Sequence, residues 1–132
     1  MARECAKNMK KNGYGRIINL GSIHSSVAHA NGALSMYTTT KGAVENMTKA
    51  LAVEWAKDGI TVNAIGPGYF ASEMTQDLLE DESFNQFIAI SDPMGRTGKP
   101  GELDTALLMF ASHHSSYTTG QLLTVDGGWI AI

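Results

Sequence analysis

Two short apolar runs, Arg16-Ile17-Ile18-Asn19-Leu20 and Ile60-Thr61-Val62-Asn63-Ala64-Ile65, stand on either side of one long helical repeat. Each run is followed by glycine and is rich in isoleucine and valine, which reads as a buried strand. Between them, from about Tyr37 to Lys57, Val44, Met47, Leu51 and Trp55 recur at three- and four-residue spacing, and Asp58-Gly59 supplies the stop. Strand, helix and strand within about 50 residues predict a right-handed parallel crossover. The rest of the chain extends this pattern. Ala2 to Lys11 reads as a helix that ends at Asn12-Gly13 and feeds the first strand. The second strand runs into Gly66-Pro67-Gly68, where extended structure is expected to break.

Farther on, the acidic stretch Thr75 to Ser91 mixes charge with Leu78, Leu79, Phe84, Phe87 and Ile88, so one or two amphipathic helices are expected there as a lid. Pro100 opens a further helix with Leu103, Leu107 and Phe110 on one stripe, and Gly120 precedes a last strand, Gln121 to Val125. The predicted class is α/β, a parallel sheet of about three strands with flanking helices. Residues 1–132 are expected to form one domain, and the sequence shows no linker, repeat or low-complexity segment.

Composition narrows the classes of function. Charged residues make up 17% and hydrophobic residues 43%, an ordinary globular balance. No apolar run approaches the ~20 residues that cross a bilayer. Residues 1–11 carry Arg3, Glu4, Lys7, Lys10 and Lys11 and lack the apolar centre of a signal peptide. Cys5 is the only cysteine, which agrees with a reducing compartment. The expectation is a cytoplasmic protein with no membrane association. A net charge of -3 with scattered basic residues argues against a nucleic-acid partner.

Tyr37 and Lys41 stand four apart at the start of the long helix, which places them on one face about 6 Å apart along the axis. A tyrosine ionises near pH 10, and lowering that by three units takes about 4 kcal/mol of preferential phenolate stabilisation. A nearby ammonium, partly shielded from water, can supply much of it. On its own, Tyr-x-x-x-Lys also arises by chance on a helix face. Ser22 adds context: it follows the first strand directly, fifteen residues before Tyr37. Ser22 could equally be a helix cap or turn residue, and Ser25 and Ser26 compete with it for any hydroxyl role. His24, His29, His113 and His114 have no carboxylate or cysteine at metal-ligand spacing and read as solvent-facing or loop residues, so no metal site is predicted. Trp55 and Trp129 read as packing residues, Trp129 with the option of meeting a partner subunit, and Arg96 as a tie for the turn before Pro100.

Taken together, Gly15-Arg16-Ile17-Ile18-Asn19-Leu20-Gly21-Ser22, Tyr37-Thr38-Thr39-Thr40-Lys41, Ile60 through Gly68 and Val125-Asp126-Gly127-Gly128 resemble the short-chain dehydrogenase/reductase family across essentially the whole chain. The resemblance implies the C-terminal half of a Rossmann-like, doubly wound parallel sheet. It also implies NAD or NADP as cofactor and a small hydroxy or keto substrate. By it, Ser22 hydrogen-bonds the substrate oxygen, Tyr37 exchanges a proton with it, and Lys41 lowers the tyrosine pKa and binds the nicotinamide ribose. Pro67 and Gly68 face the nicotinamide ring, with the Phe70 backbone amide and the Ser72 hydroxyl near the carboxamide or phosphate. Ser72 stands where a threonine is more usual. The Ser22 to Tyr37 interval is two residues longer than the commonest spacing, so the loop Ile23 to Met36 is expected to be enlarged and to shape the substrate pocket.

Gly66 through Thr75, with Asp126-Gly127-Gly128-Trp129, looks closest to the sugar-acid branch, of the gluconate 5-dehydrogenase and 2-deoxygluconate 3-dehydrogenase type. The alternative is 3-oxoacyl-[acyl-carrier-protein] reduction. A complete member of the family is roughly twice this length and begins with a strand, a glycine-rich turn and a helix whose N-terminus receives the pyrophosphate. No such turn follows an early strand here. The expectation is therefore a catalytic portion without the cofactor-anchoring half, inactive alone and homo-oligomeric, or else a non-catalytic binding or assembly remnant. The residue that selects NAD or NADP belongs to that absent half.

Overall fold

The computed structural model of the chain describes residues 1–28, 33–73 and 75–132. Helix α1 (Ala2–Asn12) carries Glu4 in its first turn and Lys10 and Lys11 in its last, the charge order its dipole favours. It stops at Gly13, whose left-handed backbone (φ 60°) returns the cap N–H to the Lys10 and Met9 carbonyls. Strand β1 (Gly15–Leu20) follows, then helix α2 (Ser35–Trp55). A 3₁₀ turn, Ala56–Asp58, and Gly59 (φ 74°) lead into strand β2 (Ile60–Pro67). A Cβ on Gly59 would collide with the Gly13 carbonyl, so the turn before β1 and the turn before β2 touch backbone to backbone. Helices α3 (Gln76–Glu80), α4 (Glu82–Ser91) and α5 (Asp104–Ala111) come next, and strand β3 (Leu122–Val125) closes the sheet.

The strands lie in the order β1-β2-β3 and both pairings are parallel. Alternate side chains face opposite sides, so one sheet has two cores. On one face Ile60 and Val62, with Ile17 beside them, pack against Ala6 of α1 and Leu51, Ala52 and Trp55 of α2. On the other, Ile65, with Ile18, Leu123 and Val125 beside it, packs against Ala106 and Phe110 of α5. This is the doubly wound, Rossmann-like arrangement expected from the sequence. Burying one such large apolar side chain stabilises by about 1.5–3 kcal/mol. Two polar residues are used as ties: Asn63 Nδ2 donates to the Thr118 carbonyl at 2.8 Å and its Oδ1 accepts from Gln121 N at 3.1 Å. Asn19 Nδ2 donates to Thr48 Oγ1 at 2.9 Å, joining β1 to α2.

Several sequence expectations need correction. The buried stripe of α2 is Thr48, Leu51, Ala52 and Trp55, whereas Met47 is 45% exposed. On α5 the buried positions are Ala106 and Phe110, with Leu107 outside. That helix begins at Asp104, because Pro100 to Leu103 form turns first. β2 does not break at Gly66: Gly66 pairs with Thr124 and Pro67 with Val125. Even-numbered residues of β2 bond toward β3, as when the Val62 carbonyl accepts from Gly120 N; odd-numbered ones bond toward β1, as when the Ile65 carbonyl accepts from Gly21 N. Pro67 therefore faces a side where β1 has already ended, and its missing N–H costs no ladder bond. Among the described residues no helix is long and apolar enough to cross a membrane.

Candidate active site

Ser22, Pro67 and Gly68 stand at the carboxyl ends of β1 and β2, and Lys41 reaches the first of these ends from α2. Gly21 N–H donates to the Ile65 carbonyl at 2.8 Å, holding the chain against β2 beyond the end of β1. A Cβ there would sit 3.1–3.3 Å from Leu122, Ser25 and Ile65 atoms. Ser22, next in line and buried, starts a 3₁₀ turn, Ile23–Ser25. Its Oγ accepts from His24 N at 3.1 Å, and its own N–H donates to Ser25 Oγ at 3.2 Å, a reciprocal capping box. Capping occupies one lone pair and leaves the hydroxyl proton to donate. The cap reading and the substrate-binding reading of Ser22 are thus compatible. Of the competing hydroxyls, Ser26 donates to Glu45 Oε2 at 3.1 Å, while Ser25 Oγ accepts in the cap as Ser22 Oγ does.

Tyr37 and Lys41 lie one turn apart on α2, with Lys41 Nζ 5.7 Å from the tyrosine ring centroid. The ammonium donates to the Leu20 carbonyl at 3.1 Å, so it is tethered to the end of β1 and keeps further protons to give. Close to this group stands a residue that the sequence did not single out. His24 is only 6% exposed, which corrects its reading as solvent-facing. Its ring meets Tyr37 edge to face, centroids 6.0 Å apart at 78°, and its Nδ1 lies 3.3 Å from the Val27 carbonyl. The 3₁₀ turn folds back onto α2 and carries the ring inward; the available signal was a histidine two residues after Ser22. His29 lies outside the described residues. His113 stacks on Tyr14 at 4.6 Å, and His114 is exposed. Among the described residues no group of three or more histidine, cysteine or carboxylate side chains could hold a metal ion. Of the loop Ile23 to Met36, residues 29–32 lie outside the described residues, and α2 already begins at Ser35.

At the end of β2, Gly68 N–H donates to the Val125 carbonyl at 3.0 Å, and a Cβ on Gly68 would approach the Asp126 Cα to 2.8 Å. Only glycine permits that approach. One residue earlier, a Cβ on Gly66 would sit 3.2 Å from the Ser22 carbonyl, which puts the end of β2 beside the Ser22 turn. Phe70 and Ser72 lie farther along. Phe70 pairs with Gly98 in an isolated bridge, with its ring over that glycine. The exposed Ser72 hydroxyl bonds Thr75 Oγ1 at 2.9 Å, and Thr75 Oγ1 also donates to the Phe70 carbonyl at 2.6 Å. Thr75 therefore shapes this loop, a role the sequence did not indicate.

Helix α4 lies over this end of the sheet through an aromatic cluster. Tyr69 meets Phe84 at 5.3 Å and Trp129 at 5.1 Å, and Phe87 meets Trp129 at 5.7 Å. Burial pushes the Tyr69 phenol up from its ordinary pKa. A cavity of about 670 Å³ lies alongside, lined by Tyr69, Phe70, Arg96, Glu102, Thr124 and Asp126 among others; of the expected site residues it touches only Phe70. Two of its charged side chains pair with each other. Arg96 Nη1 and Nη2 donate to the two Glu102 oxygens at 2.8 and 2.9 Å, which ties down this turn as expected. Those bonds, with the Lys99 N–H, hold the Glu102 carboxyl at about 2.

The sequence matches, over residues 1–130, the family described as enoyl-(acyl carrier protein) reductase. The chain belongs to the short-chain dehydrogenase/reductase family. Among its relatives in that family, gluconate 5-dehydrogenase of Gluconobacter oxydans is 42% identical over 123 residues, 93% of this chain and 47% of that protein. Galactitol 2-dehydrogenase (L-tagatose-forming) of Cereibacter sphaeroides is 43% identical over 129 residues, 97% of this chain and 50% of its own. The crystal structure of a gluconate 5-dehydrogenase from Burkholderia cenocepacia, in complex with NADP and tartrate, superposes with a TM-score of 0.95 at 37% identity. That superposition covers 99% of this chain and 51% of that one. This short-chain dehydrogenase/reductase chain thus spans about half the length of the relatives it matches.

Proposed function

We propose that this chain carries the catalytic portion of an NAD(P)-dependent oxidoreductase that interconverts a secondary alcohol and a ketone on a sugar acid of the gluconate or keto-gluconate type. The observation that carries the reading is the convergence at the end of β1. Ser22 follows that strand, Lys41 is bonded to Leu20, and the Tyr37 ring has both Lys41 Nζ and the His24 ring close to it. In the direction of reduction the Tyr37 hydroxyl gives its proton to the substrate oxygen, and in oxidation it takes one back. Ser22 Oγ–H donates to the same oxygen. The Lys41 charge stabilises the negative charge that develops on the phenol oxygen.

The residues present fit the nicotinamide end of the cofactor. Lys41 has protons to spare for a ribose, and Gly66 and Gly68 let the end of β2 pack closely against the Ser22 turn and Asp126, which brings its backbone beside that turn. Pro67, Gly68, the Phe70 amide and Ser72 complete that side. A bound nicotinamide supplies the hydride donor or acceptor. The names of the relatives support the sugar-acid substrate; a second reading, 3-oxoacyl-[acyl-carrier-protein] reduction, is favoured by the description of the matched family.

Activity of the longest natural form on 5-ketogluconate and on an acetoacetyl thioester separates the two, and thioester activity with none on the sugar acid overturns the first. In that protein Tyr37→Phe should lower turnover by about 10²- to 10⁴-fold. Retention of more than about a tenth of the activity contradicts the assigned role. The 132-residue chain alone is expected to bind NAD(P)H weakly, having no glycine-rich turn, and to self-associate through β1, which pairs only with β2 among the described strands. A monodisperse monomer by light scattering, with micromolar cofactor affinity, contradicts both parts.

A further inference from the structure

We propose that His24 is a positioning residue that aims the Tyr37 phenol and the Ser22 hydroxyl at one substrate oxygen, an inference that rests on the roles proposed above for those two groups. The geometry gives His24 a separate handle on each. Its backbone N–H, 3.1 Å from Ser22 Oγ, takes one lone pair of that hydroxyl and so limits where its proton can point. Its ring stands edge to face against Tyr37, centroids 6.0 Å apart at 78°, within the arrangement aromatic pairs prefer.

The ring is itself fixed. A buried imidazole needs a hydrogen-bond partner, and Nδ1 lies 3.3 Å from the Val27 carbonyl, which can only accept, so the proton belongs on Nδ1. Tyr37 belongs to the first turn of α2, and Lys41 Nζ lies 5.7 Å from its ring. Lys41 supplies charge there, but a compact ammonium sets no ring plane. The imidazole does. One residue of a three-residue turn thereby links the end of β1 to the start of α2 across the point where the substrate oxygen must sit.

Three substitutions separate the contributions. His24→Ala keeps the backbone N–H on Ser22 but removes the ring. His24→Phe restores an edge-on ring without the Val27 bond, and His24→Asn keeps a donor without the ring. In the longest natural form of the enzyme, His24→Ala should lower kcat about 10- to 100-fold with the KM for cofactor unchanged, the scale on which small misplacements act. His24→Phe should recover most of that loss and His24→Asn should not. In a Tyr37→Phe background, His24→Ala should have no further effect on the residual rate. Equal losses in both backgrounds, or a phenylalanine variant as poor as the alanine one, overturn the proposal. A second readout is independent of turnover: in the 132-residue chain labelled on tyrosine, the Tyr37 ring resonances should move in His24→Ala and return in His24→Phe. Unmoved resonances overturn the positioning role whatever the assay shows, whereas an active Tyr37→Phe enzyme overturns the proposed function instead.

Discussion

Ser22 carries two loads on one oxygen, and a pair of substitutions can separate them. Ser22→Ala removes the acceptor of the His24 N–H at 3.1 Å together with the hydroxyl offered to substrate. Ser25→Ala removes only the reciprocal half of the same cap, the acceptor of the Ser22 N–H at 3.2 Å. Loss of a side-chain cap costs about 1 kcal/mol, and the two halves have similar geometry, so both variants should lose stability alike. A donor aimed at a developing oxyanion is worth about 2.7–4 kcal/mol, or about 10²- to 10³-fold in kcat. Only Ser22→Ala should pay that second cost. Urea denaturation followed by circular dichroism gives the first quantity as a shift in midpoint at constant slope, and steady-state turnover of the longest natural form gives the second. If Ser25→Ala loses turnover as severely as Ser22→Ala at equal stability, the loss comes from a loosened turn and the substrate role of the Ser22 hydroxyl is wrong.

Gly68→Ala should destabilise the chain by about 1–3 kcal/mol, because its Cβ meets the Asp126 backbone at 2.8 Å and cannot swing away; an unchanged urea midpoint would remove the argument for glycine there. Glu102 is held at about 2, below its ordinary 4.5, first by the Arg96 side chain and then by the Lys99 N–H. Since the folded value is the lower one, this contribution to stability is whole above about pH 4.5 and fades as pH falls toward about 2. Glu102→Gln should flatten the stability profile over that window, and a profile identical to that of the unsubstituted chain would show that the Arg96 contact is inconsequential.

The frame of the fold was legible because it rests on period and punctuation. The strand runs at Ile17 and Val62, and the glycines after Asn12 and Asp58, stand where local chemistry puts them. What failed was the edge of each buried stripe. Leu51, Trp55 and Phe110 are buried as expected, but Thr48 and Ala106 are buried beside them while Met47 and Leu107 face out, because residues on either flank of a stripe share its spacing and spacing alone does not say which flank meets the sheet. Pro67 was misread for a related reason: a proline breaks a strand only where its N–H would have been needed, and that depends on where the neighbouring strand stops. Ser22, Tyr37 and Lys41 were legible as candidates, since Ser22 comes directly after a strand and its turn glycine and the other two share one helix face. His24 was not, since a three-residue turn carries no periodic signal of which way a ring will face. The engagement of Ser72 with Thr75 is likewise a loop contact that spacing does not encode.

The contact between Gly13 and Gly59 couples the two helices on one face of the sheet. The turns entering β1 and β2 meet backbone to backbone, and it is Gly59 that cannot gain a side chain, since its Cβ would strike the Gly13 carbonyl. The spacing of the two entry turns is thus set by backbone alone, and a substitution at Gly59 is a strain on the ends of α1 and α2 together rather than on one helix.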